Sequence, residues 1–302
     1  MDRIDAMRLF VRIVELKSFT AAAAELDLPR SNVSYAMKEL EKRLGARLLA
    51  RSTRHVSPTP EGLTYYESCR RVLMEVEQAE SSMGEAVSNP RGRLRVDLQA
   101  SLATAFVFPH LGEFCRDHPG IDLVIGTGDR LVDLVREGVD CVLRAGTPRE
   151  SGLVARRVAM LPTATCASRD YIAANGTPAT IAQMREHLAV NFLSSATGRI
   201  EPFEFTVAGK VQAVAMRGRV CVTSAEAYRA CCLQGLGFIQ APRYGIEAAL
   251  ASGELVEVLR DSLPPPMPIS VMFPQQQQMA PRVRVFIDWL VQRLQGAPTV
   301  PG

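Results

Sequence analysis

Apolar residues recur at helical spacing in the first part of the chain, and punctuating residues divide that pattern into short helices. The first stripe is formed by Ala6, Leu9, Phe10, Ile13 and Leu16. Thr20 is placed to cap a second helix, which Leu28-Pro29 ends because the residue before proline avoids the helical region. A third helix is predicted from about Ser31 to Leu44, with Gly45 as its left-handed cap. Two helices joined by a tight turn are typical of the helix-turn-helix plan.

The third helix has two chemically different faces. Its apolar face is formed by Val33, Met37, Leu40 and Leu44. The opposite face carries a hydroxyl, a phenol and two ammonium groups, from Ser31, Tyr35, Lys38 and Lys42. Asn32 and Ser34 flank that face near the helix N-terminus, the end of a recognition helix that meets the bases. Hydroxyls and amides read base edges and lysines neutralise phosphate, which favours DNA binding over the alternative of a merely solvated face.

After Gly45 the pattern becomes that of two short strands around a polar turn, which Arg51 and Arg54 flank. A β-hairpin wing with arginines at its tip can reach the neighbouring DNA backbone or minor groove. We therefore predict a winged helix-turn-helix DNA-binding domain over residues 1–58. The predicted DNA contacts are Thr20, Ser31, Asn32, Ser34, Tyr35, Lys38, Lys42, Arg51, Thr53 and Arg54.

Thr59-Pro60-Glu61 starts a long helix, with threonine as cap, proline in the first position and a carboxylate in the first turn. The helix is expected to continue to about Ser88. Its narrow apolar seam is formed by Leu63, Tyr66, Leu73, Val76, Met83 and Val87. Because such a seam cannot bury itself, residues 59–89 are predicted to be a linker helix that pairs in a dimer.

From Arg93 onward, strand patterns alternate with helix patterns, which predicts an α/β domain with a parallel sheet over residues 92–302. Strands are expected at 94–98, 121–125, 141–144 and 269–273, and helices from Ser101, at 131–137 and at 283–294. The chain crosses near Met160-Leu161-Pro162 into a second lobe and returns near Leu263–Pro268. Lobe one therefore spans about 92–161 and 268–302, and lobe two about 162–265. Two such lobes form a hinged clamshell, like the periplasmic binding proteins, which holds a small ligand.

Composition excludes several classes of protein. The 302 residues are 47% hydrophobic and 22% charged, which argues against disorder. The absence of a long uncharged apolar stretch or a signal-peptide pattern predicts a cytoplasmic protein that makes no membrane contact. The net charge is only +3, but residues 30–54 contain seven basic and two acidic side chains. This local basic stripe supports a nucleic-acid partner.

Neither a metal site nor a catalytic site is expected. The seven cysteines are irregularly spaced without a Cys-x-x-Cys pair, so they indicate neither disulfides nor zinc. The four histidines, His55, His110, His118 and His187, share no metal-ligand spacing. We therefore predict no cofactor and no enzymatic activity.

Several motifs together resemble the LysR-type transcriptional regulators. They include Ser18-Phe19-Thr20-Ala21-Ala22-Ala23, Ser31-Asn32-Val33-Ser34, Leu40–Leu48, Arg51-Ser52-Thr53-Arg54 and Thr59-Pro60-Glu61-Gly62, and they match without gaps over about sixty residues. Weaker similarity continues at Gly92–Val96, His118–Leu123, Gly138–Arg144 and the glycine turn Gly235-Leu236-Gly237-Phe238. Tyr35-Ala36 departs from the Arg or Gln pairs of many members, so their base preferences do not transfer.

The resemblance implies a regulator of transcription that binds double-stranded promoter DNA at an interrupted palindrome. It further implies a tetramer built as a dimer of dimers, whose DNA-bound arrangement a small effector changes. RNA polymerase is a candidate partner at the promoter.

The effector cleft is expected at the strand ends and helix N-termini of the two lobes, where free N–H groups favour an anionic ligand. The loop after the first strand is the family's main ligand loop, and Ser101 is expected to cap the helix that follows. Thr223 and Glu226 form a predicted capping box that faces the cleft in the family's plan. Arg144 is a candidate partner for an effector carboxylate. The predicted effector contacts are Ala100, Ser101, Leu102, Arg144, Gly146, Phe192, Ser194 and Thr223.

Two other functions compete with this interpretation. A redox-sensing regulator would use Cys231 with Cys232, or Cys166 with Cys221, as its switch. A cytoplasmic solute-binding protein or enzyme would use the clamshell without DNA, and the basic face of the third helix argues against it.

Overall fold

The computed structural model describes residues 1–51, 56–81, 89–147, 152–275 and 279–295. The chain divides into two compact units, Met1–Ser88 and Asn89–Gly302. Among the described helices, none combines the length and apolar character that a membrane span requires.

The described residues of the N-terminal unit form four helices and a two-stranded antiparallel pair. They are α1 (Arg3–Leu16), α2 (Phe19–Glu25), α3 (Arg30–Leu44), β1 (Leu49–Arg51), β2 (Val56–Pro58) and α4 (Pro60–Ser81). The apolar stripes of α1 and α3 meet in one core, where Phe10, Ile13 and Met37 are almost fully buried. The predicted helix-turn-helix and wing are therefore present.

The predicted ends of these helices are partly wrong. Ser18, not Thr20, caps α2, because its backbone is extended and its hydroxyl accepts a hydrogen bond from the Ala21 N–H at 3.2 Å. Thr20 lies inside the helix and is exposed. Gly45 adopts the left-handed conformation with φ 66°, as predicted. Leu44, expected on the apolar face, is 41% exposed because it lies in the last turn of α3.

Helix α4 starts as predicted, since the Thr59 hydroxyl accepts a hydrogen bond from the Gly62 N–H at 2.9 Å. Its apolar seam is partly used within the unit: Tyr66 and Leu73 pack into the core shared with α1. Leu63 is 47% exposed and does not belong to that core. The expected continuation to Ser88, including Met83 and Val87, lies outside the described residues.

The first lobe of the C-terminal unit is a five-stranded sheet in the order β4-β3-β5-β14-β6. The strands are β3 (Gly92–Leu98), β4 (Ile121–Thr127), β5 (Cys141–Ala145), β6 (Leu153–Leu161) and β14 (Met267–Pro274). Strand β3 pairs in parallel with β4 and β5, as predicted, but β14 is antiparallel to both β5 and β6. The sheet is mixed because β6 carries the chain toward the second lobe and β14 carries it back.

Helical segments cover this sheet. Helix α5 (Ala100–Leu102) continues through a π-helical turn (Ala103–Val107) and a 3₁₀ turn (Phe108–His110) into α6 (Leu111–Asp117). Helix α7 (Leu134–Glu137) is shorter than predicted, and α11 (Pro281–Gln295) is the expected final helix. Phe114 of α6 packs edge-to-face against Phe286 of α11 in the lobe's core.

The second lobe contains three small sheets, ordered β12-β7-β13, β11-β8 and β10-β9. Its elements are β7 (Thr163–Ser168), α8 (Arg169–Asn175), β8 (Leu188–Phe192), β9 (Phe203–Val207), β10 (Lys210–Val214), β11 (Arg217–Val222), α9 (Ala225–Leu233), β12 (Ile239–Pro242), α10 (Glu247–Ala251) and β13 (Leu255–Val258). Gly237, with φ 137°, lets Phe238 donate to the Leu188 carbonyl at 2.9 Å. The glycine turn thus joins the start of β12 to β8.

Candidate DNA-binding surface and effector cleft

The outer face of α3 is polar and open to solvent. Tyr35 is 67% exposed, which is more than any other large apolar or aromatic side chain among the described residues. Ser31, Asn32, Lys38 and Lys42 are also exposed, whereas Ser34 is half-buried. Six of the predicted DNA contacts therefore lie on one helix, with Thr20 exposed on the preceding one. The surface combines hydrogen-bonding groups, an aromatic ring and positive charge.

Packing fixes how this face is presented. Val33, Met37 and Leu40 are buried on the inner side of α3, so the helix cannot rotate without exposing them. Arg12 of α1 forms ion pairs with Glu15 and with Glu25 of α2, which joins the two helices that precede α3.

The wing is attached to α3 by a carboxylate. Glu41 Oε1 accepts hydrogen bonds from the backbone N–H groups of Leu48 at 2.9 Å and Leu49 at 3.1 Å. Strands β1 and β2 pair antiparallel with Leu49 opposite Pro58. Arg51 belongs to β1, but its side chain, together with Thr53 and Arg54, lies outside the described residues.

A close approach between α4 and the wing depends on one glycine. A Cβ atom on Gly62 would overlap the carbonyl oxygen of Leu48. Thr59 connects the same two segments, because its hydroxyl donates to the Arg47 carbonyl at 2.6 Å. The wing, α3 and α4 are therefore held at one junction.

The ligand loop predicted after β3 bonds directly to the second lobe. The hydroxyl groups of Ser101 and Tyr244 are 2.9 Å apart, and Tyr244 lies in the turn Arg243–Gly245 that follows β12. Burial raises the pKa of Tyr244 to about 12, so the phenol stays protonated at neutral pH. Ser101 does not cap its helix as expected, because Gln99 occupies the cap position. Ala100 is half-buried beside it, and Leu102 is fully buried.

Gln99 holds the ligand loop against the end of β5. The side-chain oxygen of Gln99 accepts a hydrogen bond from the Ala145 N–H at 2.8 Å. The backbone N–H of Gln99 donates to the Leu143 carbonyl at 3.0 Å. Gly146 follows β5 with φ 96° and donates its N–H to the Pro268 carbonyl at 2.9 Å. The strand ends therefore form a hydrogen-bonded rim.

Arg144 already has a carboxylate partner within the chain. Its guanidinium forms an ion pair with Asp97, and both side chains are largely buried. It also donates to the carbonyls of Asp97 at 3.1 Å and Arg130 at 3.2 Å. An effector carboxylate could reach Arg144 only by competing with Asp97.

The N-terminus of α9 is built differently from the predicted capping box. Ser224 caps the helix, because its backbone is extended and it directly precedes the first helical residue. Its hydroxyl accepts a hydrogen bond from the Ala227 N–H at 3.2 Å. Thr223 precedes the cap and is exposed. Phe192 is half-buried against the Tyr228 ring with centroids 5.4 Å apart, and Ser194 is buried in a turn closed by the Gly198 N–H at 2.8 Å.

Asp129, which follows β4, joins the two lobes. Its carboxyl group faces the Gln99 side chain and the backbone N–H of Ala225 at the start of α9, and both lower its pKa. Its backbone carbonyl accepts from the Ser195 hydroxyl at 2.7 Å. Burial raises the pKa of Asp129 above its usual value, although the hydrogen bonds and the charge of Arg144 act in the opposite direction.

Sequence reasoning missed Asp129 and Tyr244 and left Gln99 out of the predicted contacts. Asp129 had a usable signal, since it lies two residues beyond the end of a parallel strand, where ligands bind. Tyr244 had none, because its partner is 143 residues away in the sequence.

Most of the thiols are buried, which disfavours a reactive cysteine at those positions. Cys69, Cys141, Cys166 and Cys232 are buried, and Cys232 Sγ lies 3.8 Å from the Cys166 carbonyl oxygen. The Cys232 side chain and burial raise the pKa of Cys166, while burial raises that of Cys69 to about 11. These shifts disfavour the thiolate. Cys221, the other proposed partner of Cys166, is exposed on β11. Within the described residues, no cluster of His, Cys, Asp and Glu could hold a metal ion.

Two family models cover most of the chain. Residues 4–63 match the bacterial regulatory helix-turn-helix protein, lysR family, and residues 88–295 match the LysR substrate binding domain.

Relatives match over nearly the full length. An uncharacterized helix-turn-helix transcriptional regulator of Escherichia coli K12, YhjC, is 37% identical across 96% of this chain and 97% of its own. A transcriptional repressor of Pseudomonas aeruginosa, PA14_22550, is 31% identical across 99% and 95%. The solved structure of CrgA, a LysR-type transcriptional regulator from Neisseria meningitidis, is 29% identical with a TM-score of 0.58 and covers 96% and 98%.

Proposed function

Because this chain belongs to the LysR family of DNA-binding transcriptional regulators with an effector-binding domain, we propose that it binds promoter DNA through α3 and the wing under the control of a small anionic effector. The observation that carries this proposal is the outer face of α3. Its hydroxyl, amide, phenol and ammonium groups point away from the buried residues of the same helix. The proposed role is regulatory rather than catalytic.

The DNA contacts proposed on this face divide by chemistry. Ser31, Asn32 and Tyr35, near the N-terminal half of α3, are placed to meet base edges. Lys38 and Lys42, one and two turns further along, are placed to neutralise phosphates. Ser34 is half-buried and contributes less surface, and Thr20 on α2 is placed for the DNA backbone. Arg51, Thr53 and Arg54 of the wing remain predicted backbone or minor-groove contacts.

The effector is proposed to bind between the lobes, where Ser101, Arg144 and the start of α9 converge on Asp129 and Gln99. Ala100, Leu102, Gly146, Phe192, Ser194 and Thr223 stay predicted contacts of this cleft. Free N–H groups at helix and strand ends favour a carboxylate or a similar anion. A change in the hydrogen bonds between the lobes would then alter the placement of the DNA-binding domains.

The working organisation of the chain follows from these assignments. Residues 1–58 form the DNA-binding domain, 59–89 the linker helix and 92–302 the effector domain, with lobe one at 92–161 and 268–302 and lobe two at 162–265. We expect dimers through the linker helix and a tetramer of two dimers. RNA polymerase is a further proposed partner.

Footprinting of the purified protein on its own upstream intergenic DNA tests the proposal at two salt concentrations. Protection of an interrupted palindrome that weakens strongly with salt is expected. Folded protein that protects no segment at either salt concentration would overturn it in favour of a solute-binding protein or enzyme.

A further inference from the structure

We infer that Glu41 is a positioning residue for DNA binding, because its carboxylate fixes the first strand of the wing to the recognition helix α3. This inference deepens the proposed function, since it rests on DNA binding through α3 and the wing. It gives a role to an acidic residue that lies outside the predicted DNA contacts and acts through the backbone of the wing.

Three backbone N–H groups converge on Glu41. Its side-chain oxygen Oε1 accepts from Leu48 at 2.9 Å and from Leu49 at 3.1 Å, and its backbone carbonyl accepts from Ala46 at 3.2 Å. These donors extend from the end of α3 to the first residue of β1. Hydrogen bonds to a carboxylate are assisted by its charge and are stronger than those to a neutral oxygen. We call the two bonds to Oε1 the Glu41 clamp.

Glu41 lies at the edge of the proposed DNA-binding face. Its side chain is half-buried, whereas Lys38 and Lys42 on either side of it along α3 are exposed. An acidic group among lysines that bind DNA opposes the attraction of phosphates unless it has another role. The Glu41 clamp supplies that role, because it uses the carboxylate within the protein.

The start of α4 holds the same segment of backbone. The Leu48 carbonyl accepts from the Thr59 N–H at 3.0 Å, and the Arg47 carbonyl accepts from the Thr59 hydroxyl at 2.6 Å. The Leu48 side chain is buried, so its backbone cannot move without disturbing the core. The N–H of Leu48 is thus held by α3 and its carbonyl by the cap of α4. This double attachment sets the position of β1 relative to the recognition helix.

That position matters because the recognition helix and the wing must fit DNA at the same time. The helix enters the major groove, while the wing reaches the neighbouring backbone or minor groove. A wing that moves relative to α3 no longer favours the one position in which the helix reads the bases. Loss of the Glu41 clamp should therefore weaken binding to the operator more than binding to unrelated DNA, which depends mainly on charge.

Two substitutions of Glu41 in the full-length protein separate reach from charge. Glu41→Asp keeps the charge but is one methylene too short to reach both N–H groups, whereas Glu41→Gln loses the charge and keeps an oxygen at the same reach. The measured quantity is the Kd for a random-sequence duplex divided by the Kd for an upstream intergenic fragment of equal length. We expect Glu41→Asp to lower this ratio at least about fivefold and Glu41→Gln to keep it within about twofold of wild type.

Glu39→Asp is the matched control, because Glu39 is an exposed carboxylate of the same helix. Its ratio should equal that of wild type. A purely structural role of Glu41 would lower the fraction of active protein for both DNA fragments alike and would leave the ratio unchanged. An unchanged ratio for Glu41→Asp, or an equal loss for Glu41→Gln, would overturn the inference.

Amide exchange tests the Glu41 clamp without DNA. The Leu48 and Leu49 amides should exchange at least about tenfold faster in Glu41→Asp than in wild type or Glu39→Asp. Equal exchange in all three proteins would contradict the clamp itself. Wild type that does not prefer the upstream fragment would overturn the proposed function, and the positioning role with it. Wild type that shows the preference, together with a Glu41→Asp variant that retains it, would overturn the positioning role alone.

Discussion

The hydroxyl groups of Ser101 and Tyr244 lie 2.9 Å apart and join two lobes through residues that are 143 positions apart in the sequence. The Tyr244 ring also packs against Phe106, with ring centroids 5.1 Å apart, and this contact helps to hold the phenol beside Ser101. This pair is a direct hydrogen bond between the expected ligand loop and the opposite lobe.

A double-mutant cycle should detect this hydrogen bond. We expect Ser101→Ala and Tyr244→Phe each to lower the free energy of unfolding, with a coupling energy of about 0.5–1.5 kcal/mol between them. Denaturant unfolding of the two single variants and the double variant measures the coupling. The control cycle combines Ser101→Ala with Tyr171→Phe and should give no coupling, because the Tyr171 hydroxyl bonds to the Leu188 backbone and not to Ser101. Additive effects in the first cycle would show that the bond adds nothing to stability.

Gly62→Ala should destabilise the N-terminal unit. The added Cβ would overlap the Leu48 carbonyl oxygen, so the junction between α4 and the wing must shift. Overpacking of this kind costs about 1–3 kcal/mol. Thermal unfolding would show a lower Tm, whereas Gly152→Ala, where a Cβ meets no atom within 4 Å, serves as the control. An unchanged Tm for Gly62→Ala would mean that the close approach is not needed.

Two neighbouring hydroxyl residues allow a direct test of the cap of α9. Ser224→Ala removes the acceptor for the Ala227 N–H and should cost about 1 kcal/mol. Thr223→Ala, one residue earlier, should change the free energy of unfolding by much less. Chemical denaturation of both variants makes the comparison, and a larger loss for Thr223→Ala would restore the capping box that the sequence suggested.

These caps show where sequence reasoning reaches its limit. Apolar periodicity predicted α1, α3 and α11 because burial of one face is a repeated signal along the element. A cap depends on the backbone conformation of a single residue, and Ser18 and Thr20, or Thr223 and Ser224, are chemically almost equivalent candidates. The structure selects Ser18 and Ser224, whose backbones are extended.

The same distinction applies to the two candidate sites. Most of the proposed DNA-binding face lies on one helix, so its residues follow from the sequence at a spacing of three to four. The proposed effector cleft is assembled from strand ends and turns distant in the sequence, and no local pattern connects Asp129 with Ser195 or Ser101 with Tyr244. Long-range contacts of this kind require the fold.

Removing both lysines from the outer face of α3 should weaken DNA binding at every sequence and reduce its dependence on salt. Each phosphate contact that is lost reduces the magnitude of the negative slope of log K against log salt concentration by about 0.9. Lys38→Ala with Lys42→Ala should therefore reduce that magnitude by about 2. Binding titrations over a range of salt concentrations give the slope. Lys210→Ala, which removes one exposed lysine of β10, is the control and should leave the slope unchanged. A double variant with the slope of wild type would remove these lysines from the phosphate contacts.

The raised pKa of Asp129 makes a prediction about pH. Because burial raises the pKa of this carboxyl in the folded protein, the folded state holds the proton more tightly than the unfolded state does. Its contribution to stability is therefore fully present below the unfolded-state pKa and is lost as pH rises through the folded-state value. Asp129→Asn, which cannot titrate, lacks this contribution. The Tm of wild type minus that of Asp129→Asn should thus fall as pH rises from about pH 4, the ordinary value for an aspartate, toward neutrality. Thermal unfolding of both proteins across this range measures the difference, and the control pair, wild type and Asp122→Asn, tests a solvent-exposed carboxyl of the same strand. A difference that rises with pH would mean that the Gln99 side chain and the Ala225 N–H outweigh desolvation, so that the pKa of Asp129 is lowered and not raised in the folded protein.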